Sequence, residues 1–220
     1  MKNLTKCGYL IEVNGLIIKN KERVIKISTE YYDKNSEKYI KSTFHVNMEP
    51  LLNKFTFHIP KGGLILDAGC GTGRDSIWFV NHGYKVLAFD GSKEMVKHAK
   101  DYVDGEVMLA TFEDFDCDKK FDGIWACSSL LHVKRSNMVE IIEKLATYLK
   151  PKGAFFMSFK DRDEDYVKDG RVFTNYSEKG LRKLINSIDD LITIEIIRTT
   201  DVREGREGEN WVSVIAKKKG

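Results

Sequence analysis

The chain has 220 residues, 42% hydrophobic and 31% charged, with 36 basic against 33 acidic side chains and a formal net charge of +3. That length suits one globular domain that buries a core without disulfide or metal staples. The near balance of charge lacks the basic excess of a dedicated nucleic-acid binder, and no stretch approaches the roughly 20 apolar residues of a membrane span.

Cysteine and histidine usage narrows the chemistry. Cys7, Cys70, Cys117 and Cys127 form no CxxC pair, which argues against a zinc ribbon and against a disulfide framework. A reducing compartment is the simplest setting. The first twenty residues, interrupted by Glu12 and Asn14, lack the apolar core of a signal peptide, so the expected location is cytoplasmic. His45, His58, His82, His98 and His132 are dispersed without ligand spacing, and no metal site is expected.

Taken in order, residues 9–28 are rich in Ile and Val, with turn residues at Asn14-Gly15 and Lys19-Asn20, and read as a short hairpin. A helix is expected from a cap at Ser28 or Thr29 to about Lys41, with Tyr32, Ser36 and Tyr39 along one face. A second covers Met48 to Phe57, started near Pro50, before Pro60, Gly62 and Gly63 break the chain. From Leu64 strands and helices alternate. Strands are expected at 64–66, 85–89, 107–110, 123–126 and 154–159, and helices at 75–82, 93–103 and 136–149. Lys150-Pro151-Lys152-Gly153 reads as a turn and the polar run 161–170 as a mobile loop. Ser177 caps a helix to Asn186, and strands at 191–198 and 211–217 close the chain. Apolar strands alternating with helices imply an α/β fold, a mostly parallel Rossmann-like sheet with helices on both faces. The last two strands, with no helix between them, pair antiparallel.

The strongest motif is Leu66-Asp67-Ala68-Gly69-Cys70-Gly71-Thr72-Gly73-Arg74, which ends the first core strand and opens a helix. In such sheets ligands bind outside the carboxyl ends of the strands, at the switch in strand order. The glycines permit close backbone approach, and the helix N-terminus offers free N–H groups to an anion. The spacing is G-x-G-x-G, whereas a dinucleotide fold prefers G-x-G-x-x-G. Asp67 beside the loop would repel a pyrophosphate but pair with an ammonium. S-adenosylmethionine carries an ammonium, a carboxylate and a sulfonium, so the loop suits its amino-acid end, with Arg74 as a partner for the carboxylate. Asp90, ending the second strand 19 residues after Gly71, sits at the spacing of a ribose-binding acid; Gly91 follows it. Ser92 is the better-placed helix cap. After the third strand, a side chain or backbone amide of Ala110-Thr111-Phe112-Glu113-Asp114 can reach the adenine edge, or the run is a plain acidic turn.

These segments resemble class I S-adenosylmethionine-dependent methyltransferases, and more closely the tellurite-resistance-type branch. The likeness runs through YYDKNSEKY, ILDAGCGTGRDS, AFDGS, FDGIWACSSLLHV, LKPKGAFFMSFK, DGRVFTNYSE and DVREGREGENW, from about Tyr31 to Trp211. It implies a seven-stranded sheet with an antiparallel last strand and a methyltransferase domain over 29–220, with residues 1–28 as an extension of unassigned role. It also implies that Gly69, Gly71 and Gly73 line the methionine end and Asp90 the ribose. Phe112 and Glu113 would sit by adenine, Cys127 and Ser128 beside the methionyl group, and Tyr39 over the cofactor.

Methyl transfer from a sulfonium is an in-line displacement in which alignment does most of the work. A thiolate or selenolate acceptor needs no base, while an alcohol or ammonium does. His132, just beyond the fourth strand, is the candidate base; a histidine packed in a turn explains it equally. Arg171, Tyr176, Arg203, Arg206 and Trp211 come from loops over the same rim, where arginines suit an anionic substrate. A small-molecule acceptor is expected. A tRNA methyltransferase and a non-catalytic S-adenosylmethionine-binding module are the alternatives. The three prolines leave no Asn/Asp-Pro-Pro-aromatic motif for DNA amino groups.

Overall fold

A computed structural model describes residues 11–13, 16–18 and 21–220, with side chains described from Ser28 onward. Two short strands, β1 (Ile11–Val13) and β2 (Leu16–Ile18), pair antiparallel; the expected turns at 14–15 and 19–20 lie outside the described residues.

The expected helix from 29 to 41 is instead two helices, α1 (Lys21–Lys34) and α2 (Ser36–Thr43). Ser28 lies inside α1 and is not its cap. The break is Asn35, whose φ of −116° and ψ of 19° leave the helical region, while its side-chain amide donates to the Tyr31 carbonyl at 2.8 Å. A short polar side chain that competes for backbone in this way is a helix interrupter. Helix α3 (Glu49–Thr56) carries Pro50 in its first turn, where a missing N–H costs nothing.

The core alternates as its pattern dictates: β3 (Leu64–Ala68), α4 (Arg74–Asn81), β4 (Lys85–Asp90), α5 (Lys93–Tyr102), β5 (Glu106–Leu109), β6 (Phe121–Ala126), α6 (Met138–Thr147), β7 (Leu149–Lys160), β8 (Tyr166–Lys168), β9 (Arg171–Phe173), α7 (Glu178–Asn186), β10 (Leu191–Thr200) and β11 (Asn210–Lys218). Ser92 caps α5 through Met95 N at 3.2 Å, and Ser177 caps α7 through Gly180 N at 3.3 Å. The turn expected at 150–153 lies within the span of β7, as an irregularity between the pairs Phe121–Leu149 and Gly123–Ala154.

Seven strands form one sheet in the order β10-β11-β7-β6-β3-β4-β5. Strands β3 to β7 run parallel, and β11 is antiparallel to both β7 and β10. Successive residues of a strand face opposite sides. Ile65, Val86, Ala88 and Trp125 pack under Leu52 and Phe55 of α3, Phe79 of α4 and Ala99 of α5. On the other face, Leu66, Ala68, Leu87 and Phe89 belong to one core cluster with Ile141, Ile142 and Leu145 of α6 and Leu181 and Ile185 of α7. The order reverses between β3 and β6, which opens a crevice at their carboxyl ends.

Candidate functional site

A cavity of about 550 Å³ occupies that crevice. The loop after β3 forms its floor. The amides of Gly69 and Cys70 both donate to the Phe89 carbonyl at 2.9 Å, which ties the loop to β4. Gly71 N donates to Asp90 Oδ2 at 2.9 Å and Ser92 N to Asp90 Oδ1 at 2.8 Å. Asp90 is thus oriented by two backbone amides, and each of its oxygens keeps a lone pair for a ligand hydroxyl. Burial raises its carboxyl, and the same amides oppose that rise. A Cβ on Gly71 would meet only Tyr39 Cε1 of α2, at 3.8 Å, so open space lies over the loop beside Asp90.

Under the loop lies a buried polar cluster. Asp67 accepts from Ser76 Oγ at 2.6 Å. Burial and neighbouring Asp75 push its carboxyl above the usual carboxylate range. Asp75, which sequence reasoning placed only at a helix start, takes two bonds from Arg74 at 2.7 and 2.8 Å and one from Trp125 Nε1 at 2.8 Å. The Arg74 guanidinium is therefore already paired, and it also reaches the Thr43 carbonyl at 3.3 Å.

After β6 the chain turns sharply. Ser128 adopts a φ of 55°, with its amide donating to Ser158 Oγ at 2.7 Å, and Ser129 Oγ donates to the Ala68 carbonyl at 2.7 Å. Burial pushes the Cys127 thiol up to about 12, so it stays protonated and unreactive. A single 3₁₀ turn, Leu130–His132, brings His132 to the cavity wall. Its Nδ1 lies 2.8 Å from the Val172 carbonyl and its Nε2 lies 2.7 Å from Tyr32 Oη of α1. Past β5, Phe112 packs edge-on against Phe89, and Lys144 Nζ holds the carbonyls of Phe112 and Glu113 at 3.3 and 2.6 Å.

The far rim comes from the β8–β9 hairpin and the loop between β10 and β11. Arg171 stacks on the Tyr31 ring at 3.6 Å. Arg203 Nε donates to Asp201 Oδ1 at 2.9 Å, and Trp211 Nε1 to Asp201 Oδ2 at 3.1 Å. The Arg203 guanidinium holds Asp201 down to about 2. Arg206 lies 3.7 Å from Glu209, which also pairs with Lys160.

Tyr39, Asp67, Gly69, Cys70, Gly71, Arg74, Asp90, Gly91, Phe112, Glu113, Cys127, Ser128, His132, Arg171, Arg203, Arg206 and Trp211 all line this one cavity. Two expected site residues do not. Gly73 is outside the wall, and a Cβ there would meet Val103 Cγ2 at 2.8 Å and Ala99 Cβ at 3.1 Å, so its role is to admit α5. Tyr176 packs edge-on against Phe159 and lies under the Arg135 guanidinium at 4.4 Å. Sequence reasoning missed Tyr32, Asp75, Ser158 and Lys160, because each has a partner far away in the chain: His132, Trp125, Ser128 and Glu209 respectively. Among the described residues no group of three or more His, Cys, Asp or Glu could hold a metal, and no helix is long and apolar enough to cross a membrane.

Residues 65–153 match a family model described as a methyltransferase domain. A Bacillus subtilis protein, YqeM, is 30% identical over 129 residues, 49% of this chain and 52% of that one. The cypemycin N-terminal methyltransferase of a Streptomyces species is 30% identical over 108 residues, 47% of this chain and 44% of that one. The chain spans about half the length of the curated relatives it matches. Over its whole length it superposes on the Burkholderia thailandensis 1,6-didemethyltoxoflavin-N1-methyltransferase, solved with 1,6-didemethyltoxoflavin and S-adenosylhomocysteine, with a TM-score of 0.77, 19% identity and 99% of that chain covered. The likeness shows a shared Rossmann-like fold, with a seven-stranded, mostly parallel sheet whose last strands run antiparallel.

Proposed function

We propose that this chain is a class I methyltransferase that transfers a methyl group from S-adenosylmethionine to a small-molecule acceptor. The observation that carries the reading is the pairing of Gly71 and Asp90. The carboxylate stands at the end of β4, held by the loop amide, beside a loop position with open space above it. That geometry fits a nucleoside whose ribose hydroxyls donate to Asp90 and whose amino-acid end lies along the glycine loop. In this reading Asp67 and the N-terminal end of α4 face the methionyl ammonium and carboxylate, Phe112 and Glu113 flank adenine, and Cys127 and Ser128 approach the sulfur. Tyr39 closes over the loop. Arg171, Arg206 and Trp211 border the acceptor. The chain's own task is to hold sulfonium and acceptor in line, and such positioning can supply roughly 7–11 kcal/mol.

The resemblance to the tellurite-resistance-type branch, carried by segments such as YYDKNSEKY and FDGIWACSSLLHV, does not set the acceptor. A methyltransferase domain over 29–220 and a cytoplasmic location belong to the same reading.

Thermal unfolding with S-adenosylmethionine, S-adenosylhomocysteine and NAD tests it. A ligand bound only by the folded state raises the midpoint, so the first two raise it and NAD does not. Asp90→Ala removes charge-assisted hydrogen bonds worth about 1.5–3 kcal/mol, and calorimetry should show affinity for S-adenosylhomocysteine falling by roughly ten- to a hundredfold. Stabilisation by NAD alone, or an unchanged affinity in D90A, would overturn the assignment.

A further inference from the structure

We propose that Tyr32, backed by His132, takes the proton from the methyl acceptor, and that the accepting atom is a neutral hydroxyl oxygen. This rests on the reading of the crevice as an S-adenosylmethionine site.

The tautomer of His132 follows from its partners. A carbonyl only accepts, so Nδ1, at 2.8 Å from the Val172 carbonyl, carries the ring proton. Nε2 is then bare, and Tyr32 Oη, at 2.7 Å, must donate to it. One lone pair of the Tyr32 oxygen accepts from Arg171 Nη1 at 3.5 Å, the other is left for the acceptor's proton, and both side chains line the cavity. The pair joins α1 to the turn after β6 across 100 residues of sequence. A packing histidine needs no such partner, whereas a base needs a third group that fixes its tautomer, and Val172 supplies it.

The groups facing His132 keep it neutral. Burial first, then Arg171 of β9 and Lys160 of β7, push the imidazole down to about 4, against the Val172 carbonyl. It is therefore free to accept a proton at neutral pH. Such a weak base suffices for a hydroxyl acceptor, because an oxygen that gains a methyl becomes an oxonium, far more acidic than an imidazolium.

The rim charges choose among acceptors. Arg74 is paired with Asp75, Arg203 with Asp201 and Lys160 with Glu209. The Arg171 guanidinium lies 3.5 Å from Tyr32 Oη through Nη1, and its ion-pair partner is the exposed carboxylate of Asp169 at 3.3 Å. A cation beside the relay disfavours an ammonium acceptor and favours an oxygen losing its proton. A thiolate would need no relay.

A lone pair of the acceptor oxygen forms the O–CH₃ bond while the CH₃–S bond breaks and its electron pair returns to sulfur. The acceptor O–H bond breaks as its proton passes to Tyr32 Oη, and the Tyr32 proton passes to His132 Nε2. Positive charge leaves sulfur and arrives on imidazole, so the net charge of the cavity is unchanged.

The test uses the full chain with Tyr32→Phe and His132→Gln, the latter keeping an acceptor toward Tyr32 that cannot take its proton. Nitrogen-15 spectra of the His132 ring in the wild type should show a protonated Nδ1 and a hydrogen-bonded, unprotonated Nε2, with the Nε2 resonance shifted in Y32F. Calorimetry should show S-adenosylhomocysteine bound within threefold of wild type in both variants. With labelled S-adenosylmethionine and phenol, catechol or benzyl alcohol as probes, kcat should fall about 100-fold or more in each variant, the scale of general-base catalysis, with KM for S-adenosylmethionine unchanged. Wild type that fails to bind S-adenosylhomocysteine overturns the underlying site assignment. Wild type that binds it but methylates only benzylamine or thiophenol, or none of the probes, overturns the acceptor class. Variants that keep hydroxyl transfer within tenfold, lose cofactor affinity in step, or show a protonated Nε2 overturn the relay.

Discussion

Gly69, Gly71 and Gly73 share a left-handed backbone, with φ of 79°, 53° and 80°, but each lacks a side chain for its own reason. A Cβ on Gly69 would lie 2.5 Å from Ser129 Cβ, so this glycine lets the loops after β3 and β6 touch. Gly73 admits α5, and Gly71 faces the cavity. The two latter cases separate stability from binding. Alanine in the left-handed region costs roughly 1–2 kcal/mol, which G71A and G73A share. G73A also overpacks against Val103 and Ala99, adding about 1–3 kcal/mol. Urea unfolding should therefore rank G73A below G71A in stability. Calorimetry should reverse the ranking, with S-adenosylhomocysteine affinity falling about tenfold in G71A and less in G73A. A G71A protein that binds as tightly as wild type would show that the loop does not meet the ligand.

At the scale of elements, the β8–β9 hairpin shows how a polar run becomes ordered. The stretch read as a mobile loop ends in Asp169 and Gly170, with φ of 51° and 76°, between the paired residues Lys168 and Arg171. Two left-handed residues in a two-residue loop make the type I′ turn, for which Asp-Gly is a favoured pair. Gly170→Val puts a β-branched residue where φ must be positive. It should speed amide exchange across 166–173 about tenfold or more while leaving the strands β3 to β7 protected, and hydrogen exchange by mass spectrometry reads both. Uniform protection in G170V would mean that the hairpin does not depend on this turn. The Asp-Gly signal was legible in the sequence, but the surrounding acidic residues masked it. Strand–helix alternation, the Ser92 and Ser177 caps and the Gly71–Asp90 spacing were legible because each is a local pattern. The helix break at Asn35 was not, since it turns on a side chain choosing the Tyr31 carbonyl. Nor was the Tyr32–His132 contact, because only the folded topology joins α1 to the turn after β6. The Asp201–Arg203 pair lay two residues apart and still misled, because sequence alone leaves open whether an arginine faces a ligand or its neighbour.

For the whole molecule, the division of labour lies between the two packed layers and the helices over the cavity. Residues 28–43 supply no side chain to either hydrophobic core. They are held largely by polar anchors: Ser92 Oγ and Glu94 N donate to Asp33 Oδ1 at 2.6 and 3.2 Å, Arg74 reaches the Thr43 carbonyl, and Tyr32 meets His132. Segments with few buried apolar contacts open at lower free energy than the core, so α1 and α2 should open as a unit while the sheet stays closed. A ligand beneath them adds contacts only in the closed state and shifts that equilibrium by its differential affinity. Amides of 28–43 should therefore exchange at least tenfold faster than those of β3 and β6 in the free protein, and slow toward core rates when S-adenosylhomocysteine is added. Protection equal to that of β3 without ligand would show that these helices belong to the core, and that the cavity admits its ligands by another path.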